Sequence, residues 1–290
     1  MKTEDFEMFR TLLMQRSGLV LTPDKAYLLE SRLLPVTRKW NFTGLEQLAA
    51  EIRSKRPEKL LKEVTEAMTT NESSFFRDTK PFDQFRQHVL PTLMTARASS
   101  KRLRIWSAAC STGQEPYSLA MMLQEDQAKL PGWQVDILGT DLSGEVLDRA
   151  RAGIYTQFEV QRGMPITLLV KYFRQQGDKW EISPDIRKRV QYRECNLLTD
   201  LGSMGKFDVI FCRNVLIYFD QPTKTRVLEA MAKLLPPDGV LYLGGAETVL
   251  GLTDRFRPVE GQRGIYRVAD GPAPSRFPTP DATRRVAAAG

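Results

Sequence analysis

Histidine is almost missing from this chain: His88 stands alone among 290 residues. An imidazole-rich metal site is therefore excluded, and no metal is expected. A Ser-His-Asp triad would have to be built on His88, which lies in a charged helical stretch and reads as an ordinary surface or boundary residue. Cysteine is scarce too. Cys110, Cys195 and Cys212 are an odd number, far apart and without a CxxC pair, which fits reduced, mostly buried thiols better than disulfides or zinc ligands. No apolar run approaches the roughly 18 to 20 residues of a membrane span. The N-terminus is charged from Lys2 onward and lacks the apolar core of a secretory signal, so a cytoplasmic location is expected. The G-x-G-x-x-G fingerprint that seats a pyrophosphate is also absent, which argues against a nicotinamide oxidoreductase.

What is present is ordinary in amount: 42% hydrophobic and 27% charged residues, enough for two modest domains. The net charge of +7 and pI near 9.3 suit a nucleic acid, an acidic protein surface or plain solubility, and decide nothing alone. Residues 1–75 read as an all-helical domain plus linker. Phe6, Phe9, Leu12 and Leu13 fall at near-helical spacing within 5–14. Thr22-Pro23-Asp24 offers a hydroxyl cap and a first-turn proline to a second helix, which Pro35 is expected to kink or end. Residues 44–53 and 57–68 supply two more amphipathic helices.

From about Lys101 the texture changes to short apolar strands alternating with helices. Strands are expected at 102–107, 135–139, 189–193, 207–211 and 239–243, with helices at 116–127 and 222–235. Such alternation predicts an α/β fold over 76–270, with an open parallel sheet covered on both faces. Between about 154 and 190 the pattern breaks. That insert, with Lys179-Trp180-Glu181-Ile182, is expected to form a small antiparallel β-subdomain. Residues 271–290 are Pro/Ala-rich and read as a disordered tail.

In an open parallel sheet, ligands bind across the carboxyl ends of the strands. Those ends carry Ser107-Ala108-Ala109-Cys110-Ser111-Thr112-Gly113, then Asp141, then Asn196-Leu197, then Arg213-Asn214-Val215. Small residues before a helix let backbone approach a ligand closely. A carboxylate at the end of the second strand suits the two hydroxyls of a ribose. Glu115, near a helix start, would repel phosphates but can accept from an amino group. S-adenosylmethionine has a ribose, an adenine, an amino-acid end and no phosphate. Singly, each residue is as well read as a cap or turn residue; the case rests on all four strand ends together. A second cluster, residues 69–77, reads equally as a linker docking onto the core.

The motifs NESSFFR (71–77), WSAACSTGQEPYS (106–118), GTDLS (139–143), CNLL (195–198) and FCRNVLIYFD (211–220) together resemble the chemotaxis receptor methyltransferases, the CheR family, which esterify glutamate side chains of chemoreceptors. The resemblance runs from the N-terminus to about Val268. It implies a Rossmann-like class I methyltransferase sheet with a small all-α N-terminal domain and a small β-subdomain insert. It implies S-adenosylmethionine as methyl donor, S-adenosylhomocysteine as product, and no metal. The implied cofactor pocket is Asn71, Ser73, Arg77, Glu115, Asp141, Asn196, Leu197, Asn214 and Val215. Arg77 and Tyr218 match residues implicated in positioning the reacting groups and are the catalytic candidates. Ser73 stands where the family also uses threonine. Gln114 stands where a second glutamate is common, so Glu115 is the counterpart of the family's carboxylate.

The family also uses a basic second helix to meet the acidic, helical methylation region of receptors, which implies substrate contacts from Lys25, Arg32, Arg38 and Lys39. Over residues 1–70, 12 Lys+Arg face 10 Asp+Glu, so only a local patch is basic and a plain solvated face is the alternative. The short Gly177-Asp178-Lys179 turn lacks the glycine-rich extension of members that grip a receptor C-terminal pentapeptide, which argues against tethering here. A monomer is expected, recruited to receptor arrays at the membrane without inserting into it. Two rivals stay open. One is a same-fold methyltransferase for nucleic acid or a small molecule, against which the D/N-P-P-Y/F motif and any base-stacking platform are missing. The other is a non-catalytic module that binds S-adenosylmethionine or S-adenosylhomocysteine as a signal.

Overall fold

The computed structural model describes residues 1–271, so the expected disordered tail lies outside the described residues from 272 on. Four helices form the N-terminal unit: α1 (Thr3–Ser17), α2 (Ala26–Lys39), α3 (Leu45–Lys55) and α4 (Glu58–Ala67). Apolar side chains three and four apart put one stripe of each helix inward. Phe9, Leu13, Leu29, Leu33, Leu48, Leu60 and Val64 are each fully buried in one core. Truncating such a residue to alanine costs about 2 to 5 kcal/mol. Two local expectations need revision here. Thr22 makes no side-chain cap; Pro23–Lys25 form a 3-10 turn ahead of α2 instead. Nor does Pro35 end the helix, which runs on to Lys39. Pro35 is exposed, so the carbonyl it deprives of a partner can turn to water, while buried Leu33 and Val36 hold the turn in place.

The second unit is built on strands β1 (Arg102–Ala108), β2 (Gln134–Asp141), β3 (Ile154–Thr156), β4 (Phe173–Gln176), β5 (Lys179–Ile182), β6 (Val190–Glu194), β7 (Val209–Cys212), β8 (Val240–Leu243), β9 (Phe256–Pro258) and β10 (Ile265–Val268). Seven of them form one sheet in the order β6-β2-β1-β7-β8-β10-β9. The pairs from β6 to β8 are parallel, while β10 runs antiparallel to both its neighbours. Strands β9 and β10 were not foreseen, because three or four residues, one of them proline, carry too little periodicity. The β7 and β8 patterns are buried throughout, as a doubly covered sheet requires. Phe211 of β7 stacks on Tyr242 of β8 with ring centroids 4.4 Å apart.

The expected insert is a three-stranded antiparallel sheet, β3-β5-β4. Phe75, from the segment expected to be linker, packs edge-on against Tyr155 of β3 and Phe173 of β4 at 5.0 and 5.5 Å. The linker is thus part of the second unit's core. His88 is half-buried in a π-helical turn, Phe85–Val89, as a boundary residue would be. Cys110 and Cys212 are buried, Cys195 is half-buried, and none forms a disulfide. No helix among the described residues is long and apolar enough to cross a membrane.

Candidate active site

The strand order turns about β1 and β7: the chain builds outward through β2 and β6 on one side, then through β7 and β8 on the other. Loops leaving the carboxyl ends of β1 and β7 must therefore diverge, and a crevice opens between them. A cleft of about 1010 Å³, open to solvent, lies there. All nine residues expected to hold the cofactor line it: Asn71, Ser73, Arg77, Glu115, Asp141, Asn196, Leu197, Asn214 and Val215, together with Tyr218. The helical unit adds Ser17, Leu19, Thr69 and Thr70, so both units wall it.

After β1 the chain turns sharply. Ala109 (φ 55) and Ser111 (φ 51) are left-handed, as is Gly113 (φ 92), which precedes the Gln114–Glu125 helix. A Cβ on Gly113 would lie 2.6 Å from Tyr192 Oη and 2.9 Å from Ala150 Cβ, so glycine is required on two counts. Phe76 (φ 48), Asp78 (φ 66), Thr79 (φ 45) and Asn214 (φ 60) are left-handed as well. Such strain collects at functional sites, where the surroundings over-determine the backbone.

Asp141, at the end of β2, is only 6% exposed. Its carboxylate accepts the Ser111 N–H at 2.8 Å and the Ser143 N–H at 3.1 Å. Burial pushes its pKa up from the ordinary aspartate value, and these backbone hydrogen bonds only partly oppose it. A carboxylate has about four acceptor positions, so with the Ser111, Ser143 and Leu142 N–H groups against it about one remains for a ligand.

Glu115 and Arg213 form the cleft's second charged feature. Ser107 Oγ donates to Glu115 Oε1 at 2.7 Å, and Arg213 Nη1 donates to Oε2 at 2.9 Å. Arg213, with its side chain 2% exposed, also donates to the Arg77 carbonyl at 3.0 Å and to Asp78 Oδ2 at 2.6 Å. One buried guanidinium thus ties β7 to the Gln114–Glu125 helix and to the 71–78 segment. Removing it would leave Glu115 uncompensated, a loss of about 3 to 5 kcal/mol for a buried pair. Arg213 was noted at its strand end, but its anchoring role was not foreseen. Arg77 donates to the Glu72 carbonyl at 3.2 Å and keeps further donors for a ligand.

On the far wall, Asn196 donates from Nδ2 to the Arg16 carbonyl at 2.6 Å and accepts the Leu198 N–H at 3.0 Å. Its side chain therefore fastens the helical unit to the end of β6. Tyr218, half-buried, accepts the Val20 N–H on its carbonyl at 2.9 Å. Ser111 Oγ donates to the Asn71 carbonyl at 2.8 Å. The residues expected to meet a substrate are not brought together in the same way. Lys25 and Arg38 are exposed, and Lys39 pairs with Glu63 at 3.0 Å. Arg32 turns inward, donating to the Met68 and Thr69 carbonyls at 2.7 and 3.2 Å and to Thr70 Oγ1 at 3.1 Å. It organises the strap into the cleft rather than facing outward. Among the described residues, no group of three or more His, Cys, Asp or Glu side chains is placed to hold a metal ion.

These groups fit S-adenosylmethionine. The buried Asp141 suits a ribose diol and the Arg77 guanidinium a carboxylate. The family comparisons point the same way. The profile described as "CheR methyltransferase, SAM binding domain" matches residues 71–265, and "CheR methyltransferase, all-alpha domain" matches residues 4–69. "Chemotaxis protein methyltransferase 1" of Pseudomonas aeruginosa is 44% identical over 268 residues, covering 91% of this chain and 97% of that protein. "Chemotaxis protein methyltransferase Cher2" of Pseudomonas putida is 40% identical over 265 residues, covering 90% and 96%. "Chemotaxis protein methyltransferase" of Vibrio anguillarum is likewise 40% identical over 265 residues, covering 90% and 95%.

Proposed function

Since the chain belongs to the CheR methyltransferase family, we propose that it methylates glutamate side-chain carboxylates of chemoreceptors, forming the methyl esters that serve sensory adaptation. Asp141 carries this reading: a buried strand-end carboxylate that lines the cleft and keeps acceptor capacity beyond its bonds to the Ser111 and Ser143 N–H groups. Asn71, Ser73, Glu115, Asn196, Leu197, Asn214 and Val215 complete the cofactor wall, and the cofactor supplies a methyl group already activated by its sulfonium charge.

The protein is left with placement. A glutamate carboxylate is ionised at pH 7, so no general base is needed. Arg77 and Tyr218 line the cleft together; the guanidinium steers a carboxylate and the phenol holds one of its oxygens while the other attacks. Good alignment of this kind can supply about 7 to 11 kcal/mol of a barrier. The acceptor is the helical methylation region of a chemoreceptor in the cytoplasm, met by the exposed Lys25 and Arg38 beside Lys39, and the enzyme works as a monomer at receptor arrays.

Calorimetric titration with S-adenosylmethionine and S-adenosylhomocysteine, repeated on Asp141→Ala, tests the proposal. Wild-type binding and its loss in the variant, followed by base-labile methyl esters on receptor fragments, is the expected result. A wild-type protein that binds neither compound would overturn it.

A further inference from the structure

The loop that follows β7 leaves its sheet in a strained conformation, with Asn214 at φ 60, and then winds through the 3-10 turn Leu216–Tyr218. Three consecutive N–H groups of this loop, Asn214, Val215 and Leu216, have no place in a strand or helix ladder. All three point at one side chain from the next strand end. Glu247 Oε2 accepts Asn214 N–H at 2.8 Å, and Oε1 accepts Val215 N–H at 2.9 Å and Leu216 N–H at 2.8 Å. Oε2 also accepts Gly244 N–H at 2.6 Å. Each oxygen thus takes two backbone donors. Gly244 is fitted to the arrangement: a Cβ there would lie 2.7 Å from Glu247 Oε2 and 2.8 Å from Asn214 Nδ2.

Glu247 itself does not line the cofactor cleft, whereas Asn214, Val215 and Tyr218 do. We infer that Glu247 is a positioning residue for methyl transfer, its carboxylate fixing the loop that presents Tyr218 to the acceptor. This rests on the acceptor-holding role proposed for Tyr218. An amide cannot replace the carboxylate. In Glu247→Gln, whichever way the new side chain turned, its NH2 group would face two N–H donors, and the loop would have to shift. A displacement of about 1 Å at a reacting group can cost on the order of a hundredfold in rate.

The test is a cycle of Glu247→Gln, Tyr218→Phe and the double variant, with Glu247→Asp as the milder change, assayed well below the unfolding temperature. Glu247→Gln should lower kcat by at least about tenfold while the acceptor KM moves by less than about threefold, and Glu247→Asp should fall between it and wild type. In the Tyr218→Phe background, Glu247→Gln should cost less than about twofold more, because both changes damage one placement. Amide exchange of residues 214–216 should quicken in Glu247→Gln and stay unchanged in β1 and β2. A kcat within about twofold of wild type, losses that multiply, or unchanged exchange would each overturn the inference. Should Glu247→Gln not fold, the same readings on Glu247→Asp decide. A wild-type protein that binds S-adenosylhomocysteine but esterifies no carboxylate would instead sink the proposed function, while the exchange measurement still reports on Glu247.

Discussion

A single proton on Asp141 should govern cofactor affinity. Its pKa is raised because burial disfavours the charged form, against the pull of backbone donors. For an acid the sign follows directly: the folded protein holds this proton to a higher pH than the unfolded chain does, so the ionised group costs stability at neutral pH and that cost fades on acidification. A ribose hydroxyl can donate fully only to the ionised form. S-adenosylhomocysteine affinity should therefore fall as pH drops below neutral, beginning above the ordinary aspartate range. Titration across pH 4 to 8 checks this, and Asp141→Asn should bind weakly with that limb flattened. The place of Asp141 in the cleft was legible in the sequence because it stands with the other strand ends as one polar set, though alone it reads equally as a cap or turn residue. Arg213 and Glu247 were not. Arg213 meets a glutamate 98 positions earlier in the chain, and Glu247 acts on backbone N–H groups that no side-chain pattern records.

At the level of elements, the foot of the sheet is held by Arg97, just past the Leu90–Ala96 helix. Its guanidinium reaches Asp238 in two parallel bonds of 2.7 and 2.8 Å and Asp208 at 3.0 Å, while Asp208 also takes the Arg104 N–H at 2.8 Å. The loops entering β7 and β8 are thereby fixed to one helix end. Arg97 holds the Asp238 carboxyl below the usual range, so this stabilisation is full above the ordinary aspartate pKa and is lost as pH falls through the depressed one. Arg97→Ala should cost about 2 to 3 kcal/mol at pH 7, with cofactor affinity unchanged, and the gap to wild type should narrow in acid. Chemical denaturation at two pH values checks both. The five parallel strands were readable because most are apolar runs ended by a turn signal and alternate with helices; β6, at the sheet edge, is the least apolar of them. The β9 and β10 edge was not, since its place comes from pairing with β8 rather than from its own pattern. Pro35 misled for a related reason: burial of its neighbours outweighs one missing hydrogen bond.

Across the whole molecule, the cleft is shared. Lys62 of α4 meets Glu194 of β6 at 2.7 Å, Asn196 holds the Arg16 carbonyl, and Tyr218 holds Val20. The Lys62–Glu194 pair is about half exposed on both sides and is worth little by itself. The two backbone-carbonyl bonds, both only part-buried, and the shared ligand carry the coupling. S-adenosylhomocysteine at a hundred times its Kd should add about 2.7 kcal/mol to both units together. A single thermal transition should then move up by roughly 5 to 10 °C. A helical-unit transition that stayed in place while the other moved would contradict this.

Two-sided walling also bears on turnover in time. Residues 69–73 form both the strap between the units and a stretch of the cleft's lining. A cofactor leaving or entering along this wall would pass the same strap that Arg32 fastens. Residence time would then depend on how firmly that strap is held and not only on the contacts inside. The rate at which such an enzyme can recharge between acceptors is written into how tightly its first seventy residues hold on to the rest.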